Sequence, residues 1–274
     1  MSLFDKNRGV TVTPDAPLKP KRVHLGFTAA NVQGLGTCLN QEDSFALSNV
    51  LDPERIDSRG LLAVVADGMG GMKDGKIASE TAISVIRSEF GRFDYSVSLS
   101  AQLKDAVVKA NRAVYNELGG EGGSTLIACI FKDSHLFFAG VGDSYLILKR
   151  GNRIYHINRK HNLLNLQYLD MITVGNIRPE IARGASDKAA LTQFLGMDVI
   201  RDIDIFRVPF KLLDGDVVLL CSDGVAGVLS DECIISCLSA PSPDVMCALL
   251  EKNVLALHRG YQDNYTALVV QCRA

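Results

Sequence analysis

The chain carries almost no excess of charge: 29 Lys and Arg stand against 31 Asp and Glu, a formal net charge of −2. That balance gives no electrostatic reason to expect nucleic acid or an anionic membrane surface as a partner. Long apolar runs are missing too. The longest, such as 61–66 and 217–221, fall far short of the roughly 18 to 20 residues a membrane span requires. The N-terminus, MSLFDKNRGVTVTPDAP, has no basic flank followed by an apolar core, so it is not a secretory signal. The seven cysteines include no CxxC pair and no zinc-like spacing with histidine. They read as reduced, mostly buried thiols, which suggests a cytoplasmic protein. Low-complexity tracts and internal repeats are absent as well.

What is present suffices for one large buried core, since 47% of the 274 residues are hydrophobic. Residues 1–22 carry Pro14, Pro17, Pro20, Lys19, Lys21 and Arg22 with few apolar side chains, and are expected to form a flexible leader. Residues 23–274 then form a single domain. Leu61 to Ala66 has the length and continuity of a buried strand, and the spacing of Ala78, Ala82, Val85, Ile86 and Phe90 predicts a helix after a glycine turn. Apolar residues at Leu99, Leu103, Val107, Ala110, Val114 and Leu118 predict a second helix over 98–118, ended by Gly119-Gly120. Four strands follow at very short spacing, 124–131, 136–141, 145–150 and 153–157, with a two-residue hairpin at Gly151-Asn152. Ser242 and Pro243 open another helix, and Tyr265 to Gln271 is the last strand.

Acidic residues punctuate the ends of these strands: Glu42-Asp43, Asp67-Gly68, Asp143, Asp223-Gly224, and Asp263-Asn264 at the start of the final strand. Taken singly, each has an ordinary explanation. Asp-Gly after an apolar run is commonly a turn, and Glu-Asp a solvated pair. In an antiparallel sheet, however, the end of one strand lies beside the start of its neighbour, so all five positions can share one edge. Carboxylates gathered that way repel by about 1 kcal/mol per pair at 4 Å in water and about 4 kcal/mol at an effective dielectric of 20. They need cations, and hard oxygen donors suit magnesium, manganese or calcium.

The same stretches carry a family resemblance. QEDSFAL at 41–47, VVADGMGGMKDGKIAS at 64–79, GGSTL at 122–126, FAGVGDS at 138–144, LTQFLG at 191–196, GDVVLLCSDGV at 215–225 and DNYTALVV at 263–270 together resemble the metal-dependent Ser/Thr protein phosphatases of type 2C, in their bacterial form. The resemblance implies an α+β fold, a four-layer α-β-β-α sandwich of two antiparallel sheets flanked by helices, making 23–274 a phosphatase catalytic domain. It implies hydrolysis of phosphoserine and phosphothreonine with two Mn2+ or Mg2+ ions and a third, weaker one. Asp67 would bridge two ions, the Gly68 carbonyl would bind one, and Asp223 and Asp263 would complete the set. Asp143 matches the ligand of the third ion. Glu42 and Asp43, with Asp67, would act on the attacking water. The implied partners are a phosphorylated protein substrate and a cognate Ser/Thr kinase system, and the expected form is a monomer.

Several positions depart from the family pattern. Cys38 stands where the family carries an arginine that grips the substrate phosphate, and a thiol cannot make that bidentate charged contact. This leaves an alternative, a catalytically weakened phosphatase fold used for binding or regulation. Met69 stands where animal members have a histidine, Tyr145 where an arginine is usual, and Lys160 and Asn162 flank His161 in place of an acid and a hydroxyl. His161 reads as structural. The segment 161–190, with Met171, Val174, Arg178, Arg183 and Lys188, occupies the place of a substrate-selecting flap. Residues 70–76, GGMKDGK, satisfy the G-x-x-x-x-G-K part of a nucleotide loop, but Ile77 sits where Ser or Thr must hold magnesium.

Overall fold

The computed structural model describes residues 25–69, 74–175 and 189–274, so the expected leader lies outside the described residues. One sheet has the order β1-β11-β10-β6-β7, built from Gly26–Gly34, Tyr265–Arg273, Val217–Cys221, Tyr145–Arg150 and Arg153–His156. The other has the order β2-β3-β4-β5-β8, from Asp43–Ser48, Leu61–Asp67, Leu126–Lys132, His135–Val141 and Asp204–Ile205, with β9 (Phe210–Lys211) also pairing β5. Every pairing is antiparallel.

The continuous apolar runs follow from covering both faces of each sheet. Along β3, Leu61, Ala63 and Val65 enter the core between the sheets, where they join Phe131, Phe138, Val218, Leu220 and Leu268. The alternate residues Leu62, Val64 and Ala66 face outward and pack beneath α2 (Gly75–Arg92) and α3 (Leu99–Leu118). On the opposite side Leu219, Val269 and Ala267 pack with Met246, Leu250 and Val254 of a helix at Pro243–Ala256. A strand with helix on one side and sheet on the other has no solvated face, so period-two alternation is lost. These layers are the α-β-β-α sandwich expected from the sequence.

Helix ends follow the expected chemistry with one exception. The Ser98 hydroxyl accepts from Ala101 N at the start of α3, and Gly119, at φ 62°, closes it by donating to Tyr115 O. Ser242 is the N-cap of the 243–256 helix, yet its side chain makes no capping bond. A fourth helix, α4 (Leu163–Thr173), buries none of its residues, and Arg178, Arg183 and Lys188 beyond it lie outside the described residues.

The four closely spaced strands do not form one meander. β4 pairs with β5 and β6 with β7, but β5 and β6 belong to different sheets. The link Gly142–Ser144 therefore carries the chain across the sandwich, and places Asp143 where the two sheets meet. Ser124 precedes β4 instead of opening it, because it bridges Gly68 on one side and Leu195 on the other.

Two glycines draw the acidic ends together. Neither Gly68 nor Gly224 has a positive φ, so neither Asp-Gly pair is the glycine turn its sequence suggests. A Cβ on Gly68 would lie 2.1 Å from Gly75 O and 2.7 Å from Glu42 O, and one on Gly224 would lie 1.9 Å from Asn264 O. Backbone fills the space a side chain would need. The first helical residue of α2 is thereby pressed against Gly68, while residues 70–73 of the G-x-x-x-x-G-K stretch lie outside the described residues. We predict that Gly224→Ala lowers unfolding free energy by on the order of 3 kcal/mol. Gly91→Ala, on α2 with nothing within 4 Å of its Cβ, should gain about 0.5 to 1 kcal/mol. Equal melting temperatures for the two variants would contradict this packing account.

Candidate functional site

The strand ends meet around a pocket of about 540 Å³ lined by Cys38, Glu42, Asp67, Gly68, Asp143, Asp223 and Asp263, together with Met69, Thr125, Tyr261 and Asn264. Asp67 ends β3, Asp143 follows β5, Asp223 follows β10, and Asp263 precedes β11. Of the predicted acids only Asp43 is not part of this wall. It opens β2 directly opposite Asp67 in register, and its buried carboxylate accepts from Ser222 Oγ at 2.7 Å.

Side chains that the sequence reading left without a role fix these positions. Thr125 Oγ1 accepts from Asp67 N at 3.0 Å, while Thr125 N donates to Asp67 O at 2.8 Å. Asn264 Oδ1 accepts from Glu42 N at 2.7 Å, and Asn264 Nδ2 donates to Leu35 O at 3.0 Å. Ser222 Oγ accepts from Thr266 N at 3.0 Å while donating to Asp43, so one hydroxyl joins the two sheets behind the pocket. The motif strings contained these residues, but a string does not say which neighbour a polar side chain will reach. His161 is buried; its Nδ1 accepts from Gly142 N at 3.1 Å and its own N donates to Gly142 O at 2.8 Å. It clamps the turn that carries Asp143, a structural role. At the rim, Cys38 Sγ donates to Asp263 Oδ1 at 3.4 Å.

Crowding marks the carboxylates electrostatically. Burial, then the charges of Asp43, Asp223, Asp143 and Asp263, holds the Asp67 carboxyl well above the usual range. Burial and the neighbouring Asp143 push Asp223 up to about 6. Burial also pushes Asp43 up to about 6, against the opposing hydrogen bonds of Ser222 and Thr266. Glu42 is raised by burial and by Asp263. Asp143 is raised by burial and eased by Lys160, the cation that acts on these acids among the described residues. Six carboxylates against one ammonium form a donor set of hard oxygens that fits divalent cations. Among the described residues no three acidic, histidine or cysteine side chains close around a single point. The carboxylates ring the pocket, and an ion would draw them in by side-chain rotation.

The sequence profile of the family described as protein phosphatase 2C matches residues 39–254. The serine/threonine phosphatase stp of Listeria monocytogenes is 28% identical over 224 residues, covering 77% of this chain and 84% of the relative. The crystal structure of the serine/threonine phosphatase PstP of Mycobacterium tuberculosis superposes with a TM-score of 0.72 at 26% identity, over 90% of this chain and 99% of that one. The catalytic domain of PstP in complex with two manganese ions superposes with a TM-score of 0.69 at 26% identity, over 92% and 99% of the two chains.

The raised carboxyls give the ion-free protein an unusual pH dependence. The folded state binds the Asp43 proton more tightly than an unfolded chain does, so the associated stability is fully present below about pH 4 and is lost as pH rises through about 6. In chelator, the melting temperature should rise as pH falls from 7.5 to 5.5. Asp43→Asn should stabilise the chelated protein at pH 7.5 by at most about 3 kcal/mol and flatten that rise. Calorimetric melting of both proteins across this range provides the check; a flat wild-type profile would refute it.

Proposed function

The chain belongs to the protein phosphatase 2C family and is a serine/threonine phosphatase, and from that premise we propose that it hydrolyses phosphoserine and phosphothreonine in proteins at the acidic pocket. The observation that carries the placement is the ring of mutually repelling carboxylates that five separate strand ends bring to one pocket. Asp67, the Gly68 carbonyl, Asp223 and Asp263 would hold two divalent cations, Mn2+ or Mg2+, the number found with PstP. When bound, such ions supply a water acidic enough to attack phosphorus at neutral pH and offset the charge of the phosphoryl oxygens.

The side chains themselves divide the remaining work. Glu42, a wall carboxylate with raised proton affinity, would accept the proton of an attacking water. Asp43, behind the wall, keeps Ser222 and Asp67 in register. Ser124, Ser144 and Cys221 are poorly suited to covalent attack. Ser124 Oγ donates to Asp67 O, Ser144 Oγ pairs with Thr125 Oγ1 at 2.7 Å, and burial pushes the Cys221 thiol up to about 12. Their engagement favours direct attack by water. Met69 lines the pocket beside Gly68 without a proton to give, so the leaving oxygen takes its proton from solvent. Retention of every wall carboxylate favours turnover over the binding-only alternative.

The substrate is a phosphoprotein made by a Ser/Thr kinase, with the enzyme acting as a monomer in signalling. The described cysteines are all free thiols, which supports a cytoplasmic setting.

Hydrolysis of an aryl phosphate and of a phosphothreonine peptide should require Mn2+ or Mg2+, stop in chelator, and fall at least about 1000-fold in Asp67→Asn without loss of fold. Metal-independent turnover would overturn the assignment. A second expectation concerns the rim, where Cys38 offers phosphate no charged donor. Cys38→Arg should lower KM by roughly tenfold, the equivalent of one hydrogen bond to a charged group. An unchanged KM in steady-state kinetics with saturating metal would show that phosphate is gripped elsewhere.

A further inference from the structure

Lys160 is a largely buried lysine on the acidic side of the molecule, and the established chemistry of the pocket gives it no task. The segment 158–161 is laced to the sheet-crossing turn: Asn158 Nδ2 donates to Ser144 O at 2.9 Å, Asn158 Oδ1 accepts from Leu146 N at 2.7 Å, and His161 bonds both backbone groups of Gly142. This lacing leaves the Lys160 ammonium 3.0 Å above the centre of the Tyr145 ring, a geometry in which the ring face stabilises the cation. Tyr145 lies two residues after Asp143, and it pairs in register with Cys221, two residues before Asp223. The ammonium thus lies over a residue that joins the two strand ends bearing those acids. Both charges act on it, and its charge acts on both of them.

A fixed positive charge at that place does what a bound ion would do there. Asp143 and Asp223 are compensated by a side chain that cannot diffuse away, whereas burial and neighbouring acids, with no cation among the leading causes, raise Asp67 and Glu42. A divalent cation approaching Asp143 would meet the ammonium's repulsion in a poorly solvated setting. Building on the proposed two-ion centre, we propose that Lys160 is a tethered cation that backs the Asp143 side of the pocket from behind its lining and limits the protein to two divalent ions. Asp143 then serves as the partner of Lys160 in place of the third-ion ligand that its motif implies.

Counting bound Mn2+ tests this without measuring turnover. Titration calorimetry and electron paramagnetic resonance of free Mn2+ should give two ions for the wild type and two for Lys160→Arg, which keeps the charge. Lys160→Gln should gain a third ion, bound at least about tenfold more weakly than the others. Adding Asp143→Asn to Lys160→Gln should remove that third ion again. Asp143→Asn alone should leave the count at two, an arm that holds even if the lysine variants fold poorly. Three ions on the wild type, an unchanged count in folded Lys160→Gln, or loss of an ion in Asp143→Asn would each overturn the inference while leaving a metal centre in place. A wild type that binds no Mn2+ would overturn the metal centre and this inference with it.

Discussion

Like charges forced into a confined, partly desolvated space are what the rest of this molecule has to withstand. Burial and neighbouring charges hold the Asp67 and Asp223 carboxyls above their ordinary range, so the pocket confines acids that repel one another wherever they ionise. Backbone contacts hold the segments that carry them in place. Asp67 is fixed by its strand and by Thr125 from both sides, and Glu42 is fixed at its N–H by Asn264. The glycine contacts at Gly68 and Gly224 remove the space into which either acid-bearing segment could retreat. A site meant to attract cations is in this sense built from the rigidity of the sheets behind it.

Much of this was legible in the sequence for a definite reason. β3 and β10 are apolar without a break because both of their faces are covered, and each ends at an acid because the strand emerges at the sandwich edge. Helix periodicity and the Gly119-Gly120 signal located α3 to within a residue. What the sequence concealed was partnership across distance. Short spacing between β5 and β6 suggested a hairpin, yet a three-residue link serves equally well to change sheets, and only the packed core decides between them. Asp43 and Glu42 are adjacent in the chain but face different surroundings, because successive strand residues point to opposite sides. Taken singly, either Asp-Gly pair allowed a turn, whereas close approach is what requires their glycines. Lys160 looked like a lost acid, and its significance depends on Tyr145, fifteen positions away.

The hydroxyl of Ser222 shows how little material can join two layers. It donates to Asp43 in one sheet and accepts from Thr266 N in the other, satisfying a buried carboxylate that would otherwise be costly to enclose. Because that carboxylate is opposite Asp67 in register, the pocket wall and the seam between the sheets share one pair of strand residues.

Helix α4 stands apart from this rigidity. Leu166, Leu169 and Ile172 are exposed, and no residue of the helix is buried, so it adds little to the core and opens at low free-energy cost. Its amino acids are consequently free to drift. Substitutions on that helix would change what the molecule presents at its surface without touching the charged edge or the sheets behind it, so that molecular preference and fold stability are separable properties of this chain.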